Sequence, residues 1–370
     1  MDATSLALEI ARETGFDLAG VARLRPPRAA SRFRTWLGEG RHADMEWLAR
    51  QSGDIVDPVR NLPTGKSILV VGLAHSRAAV SLPGGGRVAR YAAGRDYHNV
   101  MRRMLTKLAR GLRRAGLMGR SRRIVDAGPL LERSHAAEAG LGFESKAANL
   151  LHPSFGPWFF LGELLLEAEL QPTEGPAPGS CGTCTACLDA CPTDAIFEPG
   201  RVDARTCISY QTIENRGPVP SEMRPKIGPW AFGCDICSEV CPWGHRAGDL
   251  SARFGVHSAV ADMGLVEWLD AGPELSGWLA ASPLQRPGRE ALARNAAIAL
   301  GNLPSEAGHR SLLRALTFDP STLVREAAAW SLAQAHGDDA STQAALEKAS
   351  TADPDPATRT AIRAWRSICG

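Results

Sequence analysis

At 370 residues, 44% of them hydrophobic, the chain is long enough for two or three domains with ordinary cores. A formal net charge of only +2 excludes a uniformly basic nucleic-acid binder, so any polyanion site must come from local clustering. Eight of the nine cysteines stand at metal-ligand spacings, which argues for a reducing compartment and against a disulfide framework.

The segment 1–11 carries acids at Asp2 and Glu9 and no basic stretch before an apolar run, so no secretory signal is expected. The first Arg-Arg pair is Arg102-Arg103, too far along for a twin-arginine signal, and no apolar run approaches a membrane span. A soluble, cytoplasmic, monomeric protein without membrane contact is the expectation.

The pattern predicts a helix over 5–14 and, after Pro63, Thr64 and Gly65, a buried strand over 67–73 (SILVVGL). Over 99–116, Met101, Met104, Leu105, Leu108 and Leu112 recur at helical spacing, an ordinary core stripe. From 102 to 123 there are nine basic residues and no acidic ones. That imbalance suits either a phosphate backbone, with Arg110, Arg113 and Arg114 as contacts, or a plainly solvated face. A second strand is expected over 123–126, leaving Asp126 at its carboxyl end, where open α/β sheets favour ligands. On residue type alone Asp126 is as well read as a carboxylate capping the following turn, and His98 is better read as a hydrogen-bonded histidine at a helix start.

The stretch 171–180, QPTEGPAPGS, reads as a linker. After it come Cys181, Cys184, Cys187 and Cys191 followed by Pro192, the C-x2-C-x2-C-x3-C-P run of bacterial ferredoxins. Cys207, Cys234, Cys237 and Cys241, followed by Pro242, form a variant second group. By the crossover logic of two-cluster ferredoxins, Cys181, Cys184, Cys187 and Cys241 hold one 4Fe-4S cluster and Cys191, Cys207, Cys234 and Cys237 the other. Disulfides or structural zinc also use paired cysteines, but neither explains the full run with its proline. The insertion 208–233 is expected to loop out as a ligand-contacting segment. Cys369 is left over as an exposed thiol.

Beyond the clusters, LARNAAIAL at 292–300 is echoed by LVREAAAWSL at 323–332 and more faintly at 358–365. The repeats suggest stacked helix pairs of the HEAT kind, with a plain helical bundle as the other reading. The expected architecture is α+β. Residues 1–172 form a mixed α/β catalytic domain, 173–252 a bacterial-ferredoxin-like two-cluster domain, and 253–370 α-helical HEAT-like repeats.

The segments RYAAGRDYH at 90–98, VDAGPLLER at 125–133, AGLGF at 139–143, FFLGE at 159–163 and CISYQTIENRG at 207–217 carry a further signal. In that order, with the cysteine run, they closely resemble the epoxyqueuosine reductase family, cobalamin-dependent iron-sulfur enzymes that complete queuosine in tRNA. The resemblance covers nearly the whole chain. It departs locally at Ser145-Lys146-Ala147, where Gly-Lys followed by Asn or His is usual, and at Pro157, where Ser is usual.

The resemblance implies base-off cobalamin in the amino-terminal domain, reduced by the adjacent cluster, with an external low-potential electron donor and epoxyqueuosine-containing tRNA as partners. It implies Asp126 as the proton donor, its pKa raised by burial against a corrin and apolar strands. Tyr97 and His98 would line the same pocket, and Arg60 and Ser209 would touch the corrinoid. Met101 replaces the glycine of the D-x-H-x-x-G signature begun by Asp96 and His98, so His98 is not assigned as a cobalt ligand. An anticodon base must be splayed out to react, with phosphates held by the basic helix and by Arg216, Arg294 and Arg325. The competing readings are a reductive dehalogenase, a two-cluster electron carrier with a helical tail, and a tRNA-binding scaffold without chemistry.

Overall fold

The computed structural model describes residues 2–76, 78–126, 128–173, 177–246 and 253–366. Cys369 and positions 174–176 of the expected linker lie outside them. The chain divides into two compact units, each assembled from separate stretches. The first comprises Met1–Ala78, Asp96–Arg205 and Ile236–Phe254, and the second Ala79–Arg95, Thr206–Asp235 and Gly255–Gly370.

In the first unit, helix α1 (Ala3–Thr14) precedes strand β1 (Leu18–Arg23), which pairs antiparallel with β2 (Ser67–Ala74). All eight β2 residues are buried, as its unbroken apolar run demands of a central strand. Helix α2 (Tyr97–Arg114) and β3 (Ser121–Ile124) follow, then α3 (Glu132–Glu138) and β4 (Phe159–Leu166). The sheet order is β1-β2-β4-β3 and every pairing is antiparallel.

Two expectations change here. The strand expected over 123–126 ends at Ile124, which puts Asp126 in the following turn at φ +52°. Because the sheet is antiparallel, the argument from the carboxyl ends of parallel strands does not apply.

α2 buries Tyr97, Met101, Leu105, Leu108, Ala109 and Leu112, and its arginines point to water. It lies close on β4 because residue 162 is glycine: a Cβ there would stand 2.8 Å from Met101 Cε. α3 packs on the opposite face, over a cluster that includes Ile68, Val70, Ile124, Ala136, Ala139, Leu141 and Leu165. Each isoleucine, leucine or valine among them, fully buried, contributes about 1.5–3 kcal/mol of transfer free energy.

The second unit holds a short parallel pair, Arg87–Val88 with Trp230–Phe232, and helix α4 (Ile208–Ile213). It continues through α5 (Gly288–Asn302), α6 (Glu306–Phe318), α7 (Thr322–His336), α8 (Ala340–Ala352) and α9 (Pro356–Arg366). α5 and α7 carry the echoed sequences. They touch backbone to side chain, since a Cβ at Gly301 would meet Ser331 at 2.7 Å, and Ser331 Oγ donates to Ala297 O at 2.8 Å.

The segment 208–233 is therefore no looped-out excursion. Ile208, Gln211, Thr212, Ile213, Asn215, Arg224, Trp230 and Phe232 are all buried in the second unit. Its buried polar residues pair within the fold, with Thr212 Oγ1 accepting from Gly233 N–H at 2.9 Å and Asn215 Nδ2 donating to Gln211 Oε1 at 2.6 Å.

Candidate active site and thiol cavity

Asp96 caps α2, its Oδ1 accepting from His98 N–H at 2.9 Å, and the same oxygen lies 2.8 Å from His98 Nδ1. One carboxylate thus starts the helix and orients the ring. His98 Nε2 reaches Asp126 Oδ2 at 3.1 Å, and Tyr97 Oη donates to the same oxygen at 2.6 Å. Tyr97 is itself held by stacking on Phe160 of β4, with ring centroids 4.2 Å apart and planes 3° from parallel. Phe160 also packs against His75 and Phe254, so an aromatic wall backs the acid.

Burial alone would lower the pKa of His98, but hydrogen bonds to Asp126 and Asp96 outweigh it, so the ring stays protonated above its ordinary 6.5. Both ring nitrogens are occupied by carboxylates, which leaves His98 no lone pair for a metal. The left-handed backbone of Asp126 is tolerated by aspartate better than by most residues, and it turns the carboxyl toward His98 and Tyr97. Protein atoms leave 58% of the Asp126 side chain exposed, so burial by the strands alone does not enclose it.

Glu132 and Glu163 lie in the segments 125–133 and 159–163, and although the sequence assigns them no role, both belong to this site. Asp126 N–H donates to Glu132 Oε1 at 2.8 Å, and the Glu132 carboxyl neighbours that of Glu163, which is fully buried on β4. A glutamate in a strand of otherwise apolar residues was the available signal.

Arg60 is exposed and paired with Asp54 through Nε at 2.9 Å, while its neighbour Asn61 donates to Pro129 O, close to the Asp126 turn. Ser209 lies on α4, in the second unit.

A second feature of the first unit is a cavity lined by Cys181, Cys184, Cys187 and Cys241, with Cys237, Ser145, Ala147, Asn149, Pro157 and Trp243 among its walls. Burial, then the neighbouring thiols of Cys181, Cys241 and Cys184, push the Cys187 thiol up. Four thiolates this close repel one another unless a cationic centre sits among them. None of the eight described cysteines is in a disulfide. Lys146 fastens the run from outside, its Nζ donating to Gly182 O at 2.8 Å and Cys184 O at 2.9 Å. The departures at Ser145, Ala147 and Pro157 thus fall on the thiol cavity and not on the Asp126 cluster. Of the second thiol set, Cys191 and Cys237 belong to the first unit, and Cys207 and Cys234 to the second.

The basic residues separate into two kinds. Arg102, Arg103, Arg110, Arg113 and Arg114 are exposed, and the first three line a shallow concavity with Asn99 and Thr106. Arg294 and Arg325, expected to hold phosphates, are internal instead. Arg294 is 1% exposed and donates to Gln211 O at 2.7 Å, Asn215 O at 3.0 Å, Asn295 Oδ1 at 2.8 Å and Gly217 O. Arg325, also buried, grips both oxygens of Asp353 at 2.7 and 2.9 Å and donates to Asp319 O. Neither guanidinium is available to a phosphate. Arg216 is exposed, but its donors end the α4 turn on the carbonyls of Ile213, Arg286 and Pro287.

A family model described as "4Fe-4S double cluster binding domain" matches residues 180–244, and one described as "HEAT repeats" matches 284–366. With the thiol cavity and the stacked helices, these define an iron-sulfur oxidoreductase carrying two 4Fe-4S clusters and a HEAT-repeat tail. A third model, "Epoxyqueuosine reductase QueG, DUF1730", matches 56–127. An epoxyqueuosine reductase of Xanthomonas campestris pv. campestris is 40% identical over 349 residues, covering 91% of this chain and 97% of that one. The crystal structure of an epoxyqueuosine reductase with an epoxyqueuosine-modified tRNA-Tyr stem loop superposes with a TM-score of 0.89 at 27% identity, covering 100% of both chains. That of the Bacillus subtilis enzyme, with its aspartate-bearing catalytic loop swung out of the active site, gives 0.88 at 27% identity over 99% of this chain and 100% of that one. The chain belongs to the epoxyqueuosine reductase family.

No helix among the described residues is long and apolar enough to cross a membrane.

Proposed function

We propose that this chain reduces epoxyqueuosine to queuosine in the anticodon loop of tRNA, with Asp126 as the proton donor to the departing oxygen. The observation that carries the reading is the convergence of Tyr97 Oη and His98 Nε2 on one oxygen of Asp126 at the open edge of an aromatic wall.

Converting an epoxide to an alkene consumes two electrons and two protons and releases the oxygen as water. Base-off cobalamin would supply the nucleophilic reducing centre, fed one electron at a time through the two clusters from an external low-potential donor. The residues fit such a group. The half-open acid beside Tyr97 and Phe160 would offer it a flat apolar edge, and His98, held by Asp96 and Asp126, would line that edge without being assigned as a ligand. Arg60 and Ser209 remain the proposed contacts to its periphery.

His98 holds a proton against Asp126 Oδ2, so the pair shares one proton that Asp126 can take from the imidazolium and pass to the substrate oxygen. Tyr97 keeps the carboxyl in place during that exchange. The first cluster rests on Cys181, Cys184, Cys187 and Cys241, supported by their common cavity. The second rests on Cys191, Cys207, Cys234 and Cys237, supported by spacing. The base must leave its stack to reach Asp126, and the exposed arginines of α2 are the proposed phosphate contacts. The expected domain division, with its two-cluster segment at 173–252, is retained as a proposal, as is action as a cytoplasmic monomer.

Anaerobic reconstitution with iron, sulfide and cobalamin, followed by nucleoside analysis of epoxyqueuosine-containing tRNA, tests the reading. Wild type should yield queuosine and Asp126→Asn essentially none. Wild-type turnover by the variant would end Asp126's role as the acid.

A further inference from the structure

Behind Asp126 lies a pair of carboxyl groups for which the proton-donor role has no direct use. Glu163 sits in the middle of β4, opposite Val70 of β2 and Ile124 of β3, and is 0% exposed. It occupies the sheet face covered by α3, where the neighbouring side chains are Ile124, Leu130, Ala136 and Leu165. Among the described residues its oxygens meet no N–H or hydroxyl donor. What it meets is the carboxyl of Glu132, the first residue of α3.

Two carboxylates in an apolar setting cannot both ionise, so the pair retains a proton. Burial first, and then the Glu132 charge, raise Glu163 well above its ordinary range. Glu132 is pushed up to about 7 by burial, partly offset by the hydrogen bond from Glu163. Glu132 is partly exposed and its charge is stabilised by the Asp126 N–H, whereas Glu163 is fully buried with no N–H or hydroxyl donor, so the proton belongs on Glu163, placed to donate to Glu132. Glu132 Oε1 in turn accepts the backbone N–H of Asp126 at 2.8 Å, the residue at φ +52°. The order is Glu163 O–H to Glu132 carboxylate, and Asp126 N–H to that same carboxylate.

We propose that Glu163 and Glu132 are positioning residues that latch the Asp126 turn in its active form, Glu132 gripping the Asp126 amide and Glu163 fixing Glu132 by donating a hydrogen bond. An apolar residue at 163 would leave the half-buried Glu132 carboxylate against an apolar wall, and it would swing toward water and release the turn. The latch is a claim about loop geometry. Its importance for turnover rests on the reading of Asp126 as the acid.

The test uses the full chain and two readouts. Amide hydrogen exchange of a peptide spanning 125–131, followed by mass spectrometry, needs no cofactor. Glu163→Leu and Glu132→Ala should speed exchange in that peptide about tenfold while exchange in α2 stays unchanged. Glu163→Gln, whose amide still donates to Glu132, should restore wild-type protection. In the reconstituted enzyme, Glu163→Leu should lower kcat about 10- to 100-fold with KM for tRNA unchanged, and Glu163→Gln should recover it. Wild-type exchange at 125–131 in both Glu163→Leu and Glu132→Ala overturns the latch, as does failure of Glu163→Gln to restore protection. Asp126→Asn separates the two claims, since it should be inactive with the 125–131 peptide still protected. Activity in that variant would fell the acid assignment and leave the exchange result to judge the latch.

Discussion

Replacing Arg294 by methionine asks whether the arginines of the helical repeats hold the protein together or hold RNA. Methionine keeps much of the buried volume and donates nothing. It strands the carbonyls of Gln211, Asn215 and Gly217, which receive the guanidinium in the folded chain. Three buried acceptors at about 1–2 kcal/mol each give a gross loss of about 3–6 kcal/mol. Burial has already pushed the guanidinium down to about 10, so removing the charge returns part of that, and the net loss should be about 2–4 kcal/mol. For a unit of this size the unfolding midpoint should fall by about 5–10 °C in a thermal scan. The salt dependence of tRNA binding should not change. The contrasting variant reverses Arg110 and Arg113, both exposed on α2. Its midpoint should shift by less than that of a weak surface change, about 0.5 kcal/mol, while the slope of log affinity against log salt flattens by about 1.5. A stable Arg294→Met with a flattened slope would put that guanidinium on the RNA and refute the burial argument.

The remaining predictions concern protons and clusters. His98 keeps its proton above 6.5, so kcat should decline as pH rises through that raised value, and His98→Gln should abolish this limb and lower kcat about 100-fold in a pH-rate profile. The Glu132–Glu163 pair has its folded pKa values above the ordinary 4.5, so the stability it contributes is complete below 4.5 and is lost as pH rises through about 7. Glu163→Gln should therefore gain thermal stability relative to wild type between those limits, and a constant difference across them would contradict the shared proton. Cys241→Ala should drop bound iron from about eight to about four atoms per chain in a reconstituted sample, with the remaining cluster visible by electron paramagnetic resonance.

Much of the site was readable from local pattern. The cysteine run has short spacings, and a chain that wraps one cubane with residues two apart announces it without regard to the rest of the fold. Asp96, Tyr97 and His98 were likewise visible together, because a helix cap and the two residues it serves are neighbours in sequence. The arginines were not separable in this way. Arg110 and Arg294 have similar helical surroundings in sequence, and only packing decides that one faces water while the other closes the α4 turn from within.

The sequence by itself determined the two-cluster chemistry and the α+β order with its repeat tail, since each rests on spacing or repetition, while the proposed acid role of Asp126 rests on family resemblance and not on residue type. Tertiary structure decided that the sheet is antiparallel, that 208–233 is core and not loop, and that Arg294 and Arg325 are internal. It also brought Glu163, from the last strand of the sheet, against Glu132 and so behind Asp126. The physical reason is the same throughout: burial and hydrogen-bond partnership between residues tens of positions apart depend on how strands and helices pack, and a one-dimensional pattern records only which neighbours share a face.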